Sequence, residues 1–346
     1  MKRSALTGVA VLGASAALLA GCSSTGANAD GEKLTFICSP QEDWCQAVAA
    51  AFTSETGIPA DYVRLSGGEA VARLSATGDT PEFDVWFGGG AEGHIAADEE
   101  GYIAKYTSPN AAQIPAEYKD ADGTWTGIYV GALSFCSNTD VLARIGAEAP
   151  QSWEDLLDPK FKSNVAMAHP GTSGTAYQAV WTEVELNDGD QDAALDYFRS
   201  LHSNILQYSK SGSAPGQMAG RGEIATGIIF AQDCQKFINE GFTNLKTTFP
   251  KEGMTYEVGA VSLIKNAQHP SAAKKFIDWA LTADAQDIAP TVGTYSVPTN
   301  PDAKITDDMV DLDELNLINA DIKEQGDARI ELTGRFDAEV APAPKD

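Results

Sequence analysis

The chain has 346 residues, of which 43% are hydrophobic and 21% are charged, so it is long enough to bury a sizeable core in two globular units. Its formal net charge of −25 argues against binding to nucleic acid, and against electrostatic docking on an anionic membrane surface. We therefore expect a soluble protein with no nucleic-acid partner.

The N-terminus has the pattern of a secretory signal. Two basic residues precede an uncharged run, residues 4–20, which is rich in Gly, Ala and Ser and short for a membrane-spanning helix. Residues 19–22 (Leu-Ala-Gly-Cys) resemble the lipoprotein box of bacteria, in which the cysteine is lipidated. We expect removal of residues 1–21, a lipid on Cys22 that anchors the protein to the outer face of the cell membrane, and a flexible tether over 22–32.

The other four cysteines form an even set, which in an exported chain suggests two disulfides. They include no CxxC pair, and Cys38 and Cys45 are too far apart for a zinc knuckle. Three pairings are possible, and free buried thiols are the alternative. We favour Cys38–Cys45, which closes a short loop, together with Cys136–Cys234.

We expect neither a metal nor a cofactor. The four histidines share no metal-ligand spacing. Gly88, Gly90 and Gly93 match the spacing of a dinucleotide-binding loop, but they follow the third predicted strand and lack the acidic strand end which that loop requires.

The first part of the fold alternates strands and helices. The predicted strands cover 33–38, 60–65 and 83–87, and the predicted helices cover 44–52, 69–76 and a segment ending at Ala97. This order is typical of an α/β domain with a largely parallel sheet, whose ligands bind beyond the carboxyl ends of the strands. Those ends are the loops 39–43, 66–68 and 88–90. The candidate ligand-binding residues in them are Ser39, Ser66, Gly67 and Gly89.

The second part begins after a long uncharged strand. Residues 121–126 predict a hairpin tip that leads into this strand, 127–136, and residues 150–159 predict a docking helix. The later predicted strands are 204–209, 224–231 and 256–264, and the later helices are 192–201, 216–219 and 271–281. Residues 307–340 alternate acidic and apolar positions, which predicts closing helices.

Residues 164–177 (Asn-Val-Ala-Met-Ala-His-Pro-Gly-Thr-Ser-Gly-Thr-Ala-Tyr) carry the main functional signal. A short strand and a Pro/Gly turn are followed by small hydroxyl residues that open a helix. The first N–H groups of a helix lack partners within it and, with the helix dipole, form an anion site; ordinary capping is the alternative. The candidate residues are Thr172, Ser173, Gly174 and Thr175, with Ser211 from the turn after the next strand.

Five stretches, in order across most of residues 33–300, resemble the extracytoplasmic substrate-binding proteins of ABC importers, in the branch with ferric-iron, phosphonate and sugar-phosphate binders. They are 66–73 (Ser-Gly-Gly-Glu-Ala-Val-Ala-Arg), 83–90 (Phe-Asp-Val-Trp-Phe-Gly-Gly-Gly), 153–159 (Trp-Glu-Asp-Leu-Leu-Asp-Pro), 170–177 (Pro-Gly-Thr-Ser-Gly-Thr-Ala-Tyr) and 272–277 (Ala-Ala-Lys-Lys-Phe-Ile). The resemblance implies a type II periplasmic-binding-protein fold, in which two α/β lobes joined by two hinge strands close on one solute.

The same resemblance implies the domain limits. Lobe 1 would comprise 33–134 and 262–306, lobe 2 would comprise 135–261, and 307–346 would form the C-terminal helices and tail. We expect a monomer that delivers its solute to a membrane permease and an ATPase.

One departure from the family pattern narrows the range of candidate solutes. Ferric-iron members place two adjacent tyrosines at the end of the strand that here covers 224–231, where this chain has Phe-Ala-Gln-Asp at 230–233. Without phenolates, direct ferric binding is disfavoured. Sugar-phosphate members are similar in carrying an acid there, so Asp233 would accept hydrogen bonds from solute hydroxyls or an ammonium, although Gln232 replaces their neighbouring histidine.

The expected function is therefore capture of a small oxyanion-bearing solute: a phosphonate, a phosphate ester or a sugar phosphate. Ferric iron or a ferric chelate is the alternative. A secreted hydrolase is more distant, because Gly171–Gly174 nearly matches a nucleophile elbow but Thr175 replaces its last glycine. No acid–histidine pattern frames His169 or His202, so we expect no enzyme.

Overall fold

The computed structural model describes residues 32–344. The expected signal peptide, lipidated Cys22 and all but the last residue of the tether lie outside the described residues.

Strands and helices alternate along the described chain. The strands are β1 (Leu34–Cys38), β2 (Ala60–Arg64), β3 (Val85–Gly90), β4 (Ile103–Ala104), β5 (Thr126–Asn138), β6 (Val165–Ala168), β7 (Ile205–Ser209), β8 (Thr226–Phe230), β9 (Leu245–Thr248), β10 (Tyr256–Ile264) and β11 (Val297–Pro298). The helices are α1 (Glu42–Thr56), α2 (Gly67–Thr77), α3 (Ala91–Glu99), α4 (Thr139–Ile145), α5 (Gly174–Leu186), α6 (Gln191–Leu201), α7 (Ala214–Gly220), α8 (Ala231–Asn239), α9 (Pro270–Ala280), α10 (Ala283–Gln286), α11 (Ile288–Thr291) and α12 (Ile322–Glu339).

The strands form one mixed sheet in the order β2-β1-β3-β10-β5-β8-β6-β7, with β4 beside β10 and with β9 and β11 beside β5. The β1–β2, β1–β3, β6–β7 and β6–β8 pairs are parallel. The expectation of a largely parallel sheet therefore holds for the outer strands only, because the long connecting strands β5 and β10 pair antiparallel with their neighbours.

Strand β5 belongs to both halves of the molecule. Its first part, up to Ala132, pairs with β10 and β11, and from Leu133 onward it pairs with β8 and β9. The two largest hydrophobic cores lie on opposite sides of this change, one around Phe36 and Phe276 and the other around Trp181. This arrangement is the two-lobed α/β fold expected above. We propose the lobe boundary at this change of partner.

Helix α12 contacts both halves. Its Gly326 packs on Ile95 of α3, where an added Cβ would lie 2.5 Å from Cγ2 of the isoleucine. Further along, Leu332 and Phe336 are fully buried in the core around Trp181.

Four predicted elements differ from the structure. The loop expected at 88–90 is the end of β3, because Gly90 remains in register with Gly259 of β10. The helix expected over 150–159 is two short 3-10 helices, Glu154–Leu157 and Pro159–Phe161, since Asp158 precedes a proline and is extended. Residues 307–340 form a 3-10 turn and α12. Residues 232–233 lie in the first turn of α8, not at a strand end.

Residues 32–344 contain two disulfides, and they are the two pairs named above. Cys38–Cys45 links the end of β1 to the first turn of α1, and Cys136–Cys234 links β5 to the first turn of α8. The second disulfide therefore fixes the residue next to Asp233.

Candidate functional site

A cleft lies beside β5, between loops and helix starts of the two halves. It is lined by residues of both halves, and most of these are polar residues or glycines. Nine of the ten residues predicted to bind ligand line this one cleft. They are Ser39, Ser66, Gly67, Gly89, Ser173, Gly174, Thr175, Ser211 and Asp233.

Helix α5 begins in the cleft with its first turn unsatisfied. Its N-cap residue, Ser173, makes no side-chain capping bond. Within the described chain, the amides of Gly174 and Thr175 have no hydrogen-bond acceptor, and the hydroxyls of Ser173 and Thr175 have no hydrogen-bond partner. Ser173 is 2% exposed and Thr175 is 8% exposed. These donors therefore lie together on largely buried residues at the positive end of a helix dipole, which is an arrangement suited to an anion.

The turn before α5 is held by His169. Its carbonyl oxygen accepts the amides of Thr172 at 3.0 Å and Ser173 at 2.9 Å, and its Nδ1 accepts the amide of Gly171 at 3.1 Å. Because Nδ1 is an acceptor, the ring proton lies on Nε2, which is 2.8 Å from the carbonyl oxygen of Ala341. The buried histidine thus fixes the turn that presents the α5 amides.

Thr172 is the predicted residue that does not line the cleft. Its hydroxyl lies 3.1 Å from the carbonyl oxygens of both His169 and Lys210. The prediction that this hydroxyl faces a ligand is therefore not matched by its position, because backbone carbonyls of its own half take its proton.

Two carboxyl groups, those of Asp233 and Glu257, also line the cleft. Asp233 Oδ1 accepts a hydrogen bond from Gln41 Nε2 at 2.9 Å, and Glu257 Oε1 accepts one from the Tyr129 hydroxyl at 2.8 Å. Burial is the main cause that raises the pKa of both groups, and it raises the pKa of Glu257 to about 8. Glu257 is therefore mostly neutral at pH 7, so that it repels an anion less than an ordinary carboxylate would.

Sequence reasoning missed several residues of the cleft. Gln41, Arg64, Tyr129, Gln232 and Glu257 also line it. Of these, Glu257 had a detectable signal, since it is an isolated acid in the otherwise uncharged strand β10. Arg64 is the one cationic side chain among the described lining residues, and its Nε donates to the Pro40 carbonyl oxygen at 2.7 Å.

The hydrolase alternative requires a base beside Ser173. Both ring nitrogens of His169 are engaged, with Gly171 and Ala341, and Nδ1 of His202 lies 3.1 Å from the Tyr208 hydroxyl. No histidine ring in residues 32–344 is hydrogen-bonded to the Ser173 hydroxyl, so the arrangement offers no nucleophile–base pair.

Two properties of residues 32–344 bear on other functions. No group of three or more His, Cys, Asp or Glu side chains in that range is placed to hold a metal ion. No helix there combines the length and apolarity needed to cross a membrane.

Comparison with known proteins finds relatives that agree with one another in kind. Residues 47–315 match the model of the family described as bacterial extracellular solute-binding protein. The periplasmic binding protein AfuA from Actinobacillus pleuropneumoniae, solved with fructose-6-phosphate bound, is 36% identical with a TM-score of 0.86, over 89% of this chain and 98% of that one. A putative 2-aminoethylphosphonate-binding periplasmic protein of Salmonella typhimurium is 28% identical over 77% of each chain.

A ferric binding protein from Campylobacter jejuni is 18% identical with a TM-score of 0.74, over 88% of this chain and 99% of that one, and shares the fold alone. The relatives are binding proteins rather than enzymes, and they act outside the cytoplasm. The two-lobed fold, the cleft at β5 and the family match agree, and the chain belongs to the bacterial extracellular solute-binding proteins that serve ABC importers.

Proposed function

We propose that this protein captures a small solute bearing a phosphate or phosphonate group, and that the start of α5 binds that group. The observation that carries the proposal is the set of unpartnered donors at Ser173, Gly174 and Thr175, in a cleft lined mostly by polar residues and glycines. The likeness to a binding protein solved with fructose-6-phosphate supports this choice of anion.

The polar remainder of the solute would lie towards Asp233 and Glu257. Carboxyl groups accept hydrogen bonds from hydroxyls and pair with an ammonium, so either a sugar phosphate or an aminophosphonate would be complementary. We propose for Asp233 the role that the sequence predicts, with the side chain reaching the cleft from α8.

Capture would be followed by delivery to a permease and an ATPase in the membrane. The solute shifts the population towards the closed form to the extent that it binds that form more tightly. We further propose that the protein acts as a monomer tethered to the outer face of the membrane by a lipid on Cys22.

Ferric iron remains a weaker candidate. Residues 230–233 (Phe-Ala-Gln-Asp) stand where the ferric members place two adjacent tyrosines, and the described residues offer no cluster of three metal ligands. No contact in the cleft favours iron over an oxyanion.

The test is a thermal-shift and calorimetric screen of purified protein against sugar phosphates, phosphonates, polyols, polyamines and ferric citrate. We expect a rise in melting temperature with phosphate- or phosphonate-bearing compounds alone, because a ligand that binds only the folded state stabilises it by mass action. Stabilisation by ferric citrate but by no phosphate ester or phosphonate would contradict the proposal.

A further inference from the structure

Helix α12 places an arginine directly behind the candidate anion site. Arg329 Nη1 lies 3.0 Å from Glu92 Oε1 of α3, and the two side chains are 4% and 2% exposed. Neither residue is near the anion helix in sequence.

The ion pair contacts the first turns of α5. A Cβ added to Gly174 would lie 3.3 Å from Glu92 Oε1, and the guanidinium lies 4.5 Å from the centre of the Tyr177 ring. The Tyr177 hydroxyl donates to the carbonyl oxygen of Gln325 at 2.6 Å, one turn of α12 before Arg329. The Glu92 carboxylate therefore lies within a few ångströms of Gly174 at the start of α5, and the guanidinium lies directly against that carboxylate.

The buried Glu92–Arg329 pair is poorly suited to stabilising the fold. Glu92 Oε2 and Arg329 Nη2 are buried, and neither has a hydrogen-bond partner within residues 32–344. A buried ion pair recovers its desolvation cost only when its remaining donors and acceptors are satisfied, and apolar replacements are often as stable. The charge of Arg329 therefore explains the presence of the pair more directly than stability does.

The net charge next to the start of α5 explains why an arginine is needed at position 329. The start of α5 is close to the carboxyls of Glu92 and Glu257, because a Cβ on Gly174 would lie within 3.3 Å of an oxygen of each. Burial raises the pKa of Glu92 and the guanidinium of Arg329 opposes that shift. Whichever form Glu92 takes, the pair carries a charge of zero or plus one, whereas Glu92 alone would carry minus one or zero.

We propose that Arg329 is a specificity-determining residue which, by balancing Glu92, keeps negative charge away from the start of α5 and so selects anionic solutes. This inference rests on the proposed function, since it concerns the affinity of the same site. Arg329 does not touch the solute; it acts through Glu92.

The experiment compares dissociation constants for fructose 6-phosphate and 2-aminoethylphosphonate by calorimetry, using whichever the wild-type protein binds. Arg329→Gln should weaken binding about 10- to 100-fold, as loss of one charge at this range implies at an effective dielectric constant near 20. Arg329→Lys should stay close to wild type. Arg335→Gln is the matched control, since Arg335 lies on the same helix but pairs with exposed Asp192 and Glu339.

Variants of Glu92 separate charge from structural damage. Glu92→Gln should tighten anion binding, and the double variant Glu92→Gln/Arg329→Gln should recover most of the affinity lost in Arg329→Gln. Structural damage would weaken binding in all three. Unchanged affinity in Arg329→Gln, or weaker binding in Glu92→Gln, would overturn the inference, whereas a wild-type protein that binds neither probe would instead overturn the proposed function.

Discussion

Ser66 and Thr172 meet across the cleft, with the hydroxyl oxygen of Ser66 2.6 Å from the carbonyl oxygen of Thr172. Two more polar pairs that cross it are Gln41–Asp233 at 2.9 Å and Lys236–Asp43 at 2.7 Å. Each pair joins a residue that precedes β5 to one that follows it, so the walls of the cleft are closed on each other. These contacts stabilise the closed form independently of any solute. They therefore lower the binding free energy that the solute must contribute to closure.

Replacing Ser66 by alanine should weaken solute binding about three- to tenfold, because the closed form loses a hydrogen bond worth about 1 kcal/mol. Ser66 also forms a capping box with Glu69 at the start of α2, so a loss of helix stability must be separated from a loss of closure. Glu69→Ala removes the cap but leaves the contact with Thr172. Calorimetry should show weaker binding in Ser66→Ala than in Glu69→Ala, and equal binding in the two variants would argue against the closing role.

Removing the hydroxyl of Ser173 or of Thr175 should weaken oxyanion binding by about 1–3 kcal/mol, the range for a hydrogen bond to a charged group. Neither hydroxyl has a protein partner in the described chain, so each deletion should leave the unfolding temperature nearly unchanged. Ser200→Ala, on the exposed face of α6, is the control. Wild-type affinity in both Ser173→Ala and Thr175→Ala would place the anion elsewhere.

The sequence predicted the start of α5 because its signal is local. A short apolar strand, a Pro/Gly turn and small hydroxyl residues are enough to identify a helix N-terminus with free amides. The alternation before residue 100 likewise indicated the α/β class, since each element is bounded by its own turn residues. These features depend on neighbours in the chain.

The residues that the sequence could not identify depend on distant partners. Arg329 lies within an acidic and apolar helix, and its role follows only from its contact with Glu92, 237 residues away. Gln41 is a turn residue whose importance comes from Asp233 across the cleft. The prediction that Thr172 faces the ligand is not matched by the structure for the same reason. Its hydroxyl donates to the carbonyl oxygen of Lys210, which is distant in sequence.

Substituting alanine for Gly212 should strongly weaken oxyanion binding while leaving the fold intact. An added Cβ would lie 2.2 Å from Thr175 Oγ1 and 2.9 Å from Ser173 Oγ, so it would displace the two hydroxyls at the site. Gly334→Ala is the matched control, because a Cβ there meets nothing within 4 Å and should slightly stabilise α12. We expect a loss of affinity of at least about tenfold in Gly212→Ala alone. Tight binding in that variant would show that the solute does not use these hydroxyls.

Oxyanion affinity should fall as the pH rises through about 8, because Glu257 then becomes charged beside the start of α5. Burial is the main cause of its raised pKa, and the neighbouring Glu92 and Asp233 add to it. The same shift affects stability: between pH 5 and 8 the folded state retains a proton that the unfolded state releases. The unfolding free energy should therefore decrease with rising pH, by up to about 1.4 kcal/mol per pH unit from this group.

Glu257→Gln isolates both effects, since glutamine resembles the neutral acid in shape but does not ionise. The ratio of wild-type to variant dissociation constants, measured with one solute from pH 6.5 to 9, cancels the titration of the solute itself. This ratio should increase as the pH rises past 8. With rising pH, the unfolding free energy of the wild-type protein should also decrease relative to that of the variant. A ratio that stays constant over this range would mean that the carboxyl of Glu257 is not near the bound anion, because a new charge a few ångströms away cannot leave the affinity unchanged.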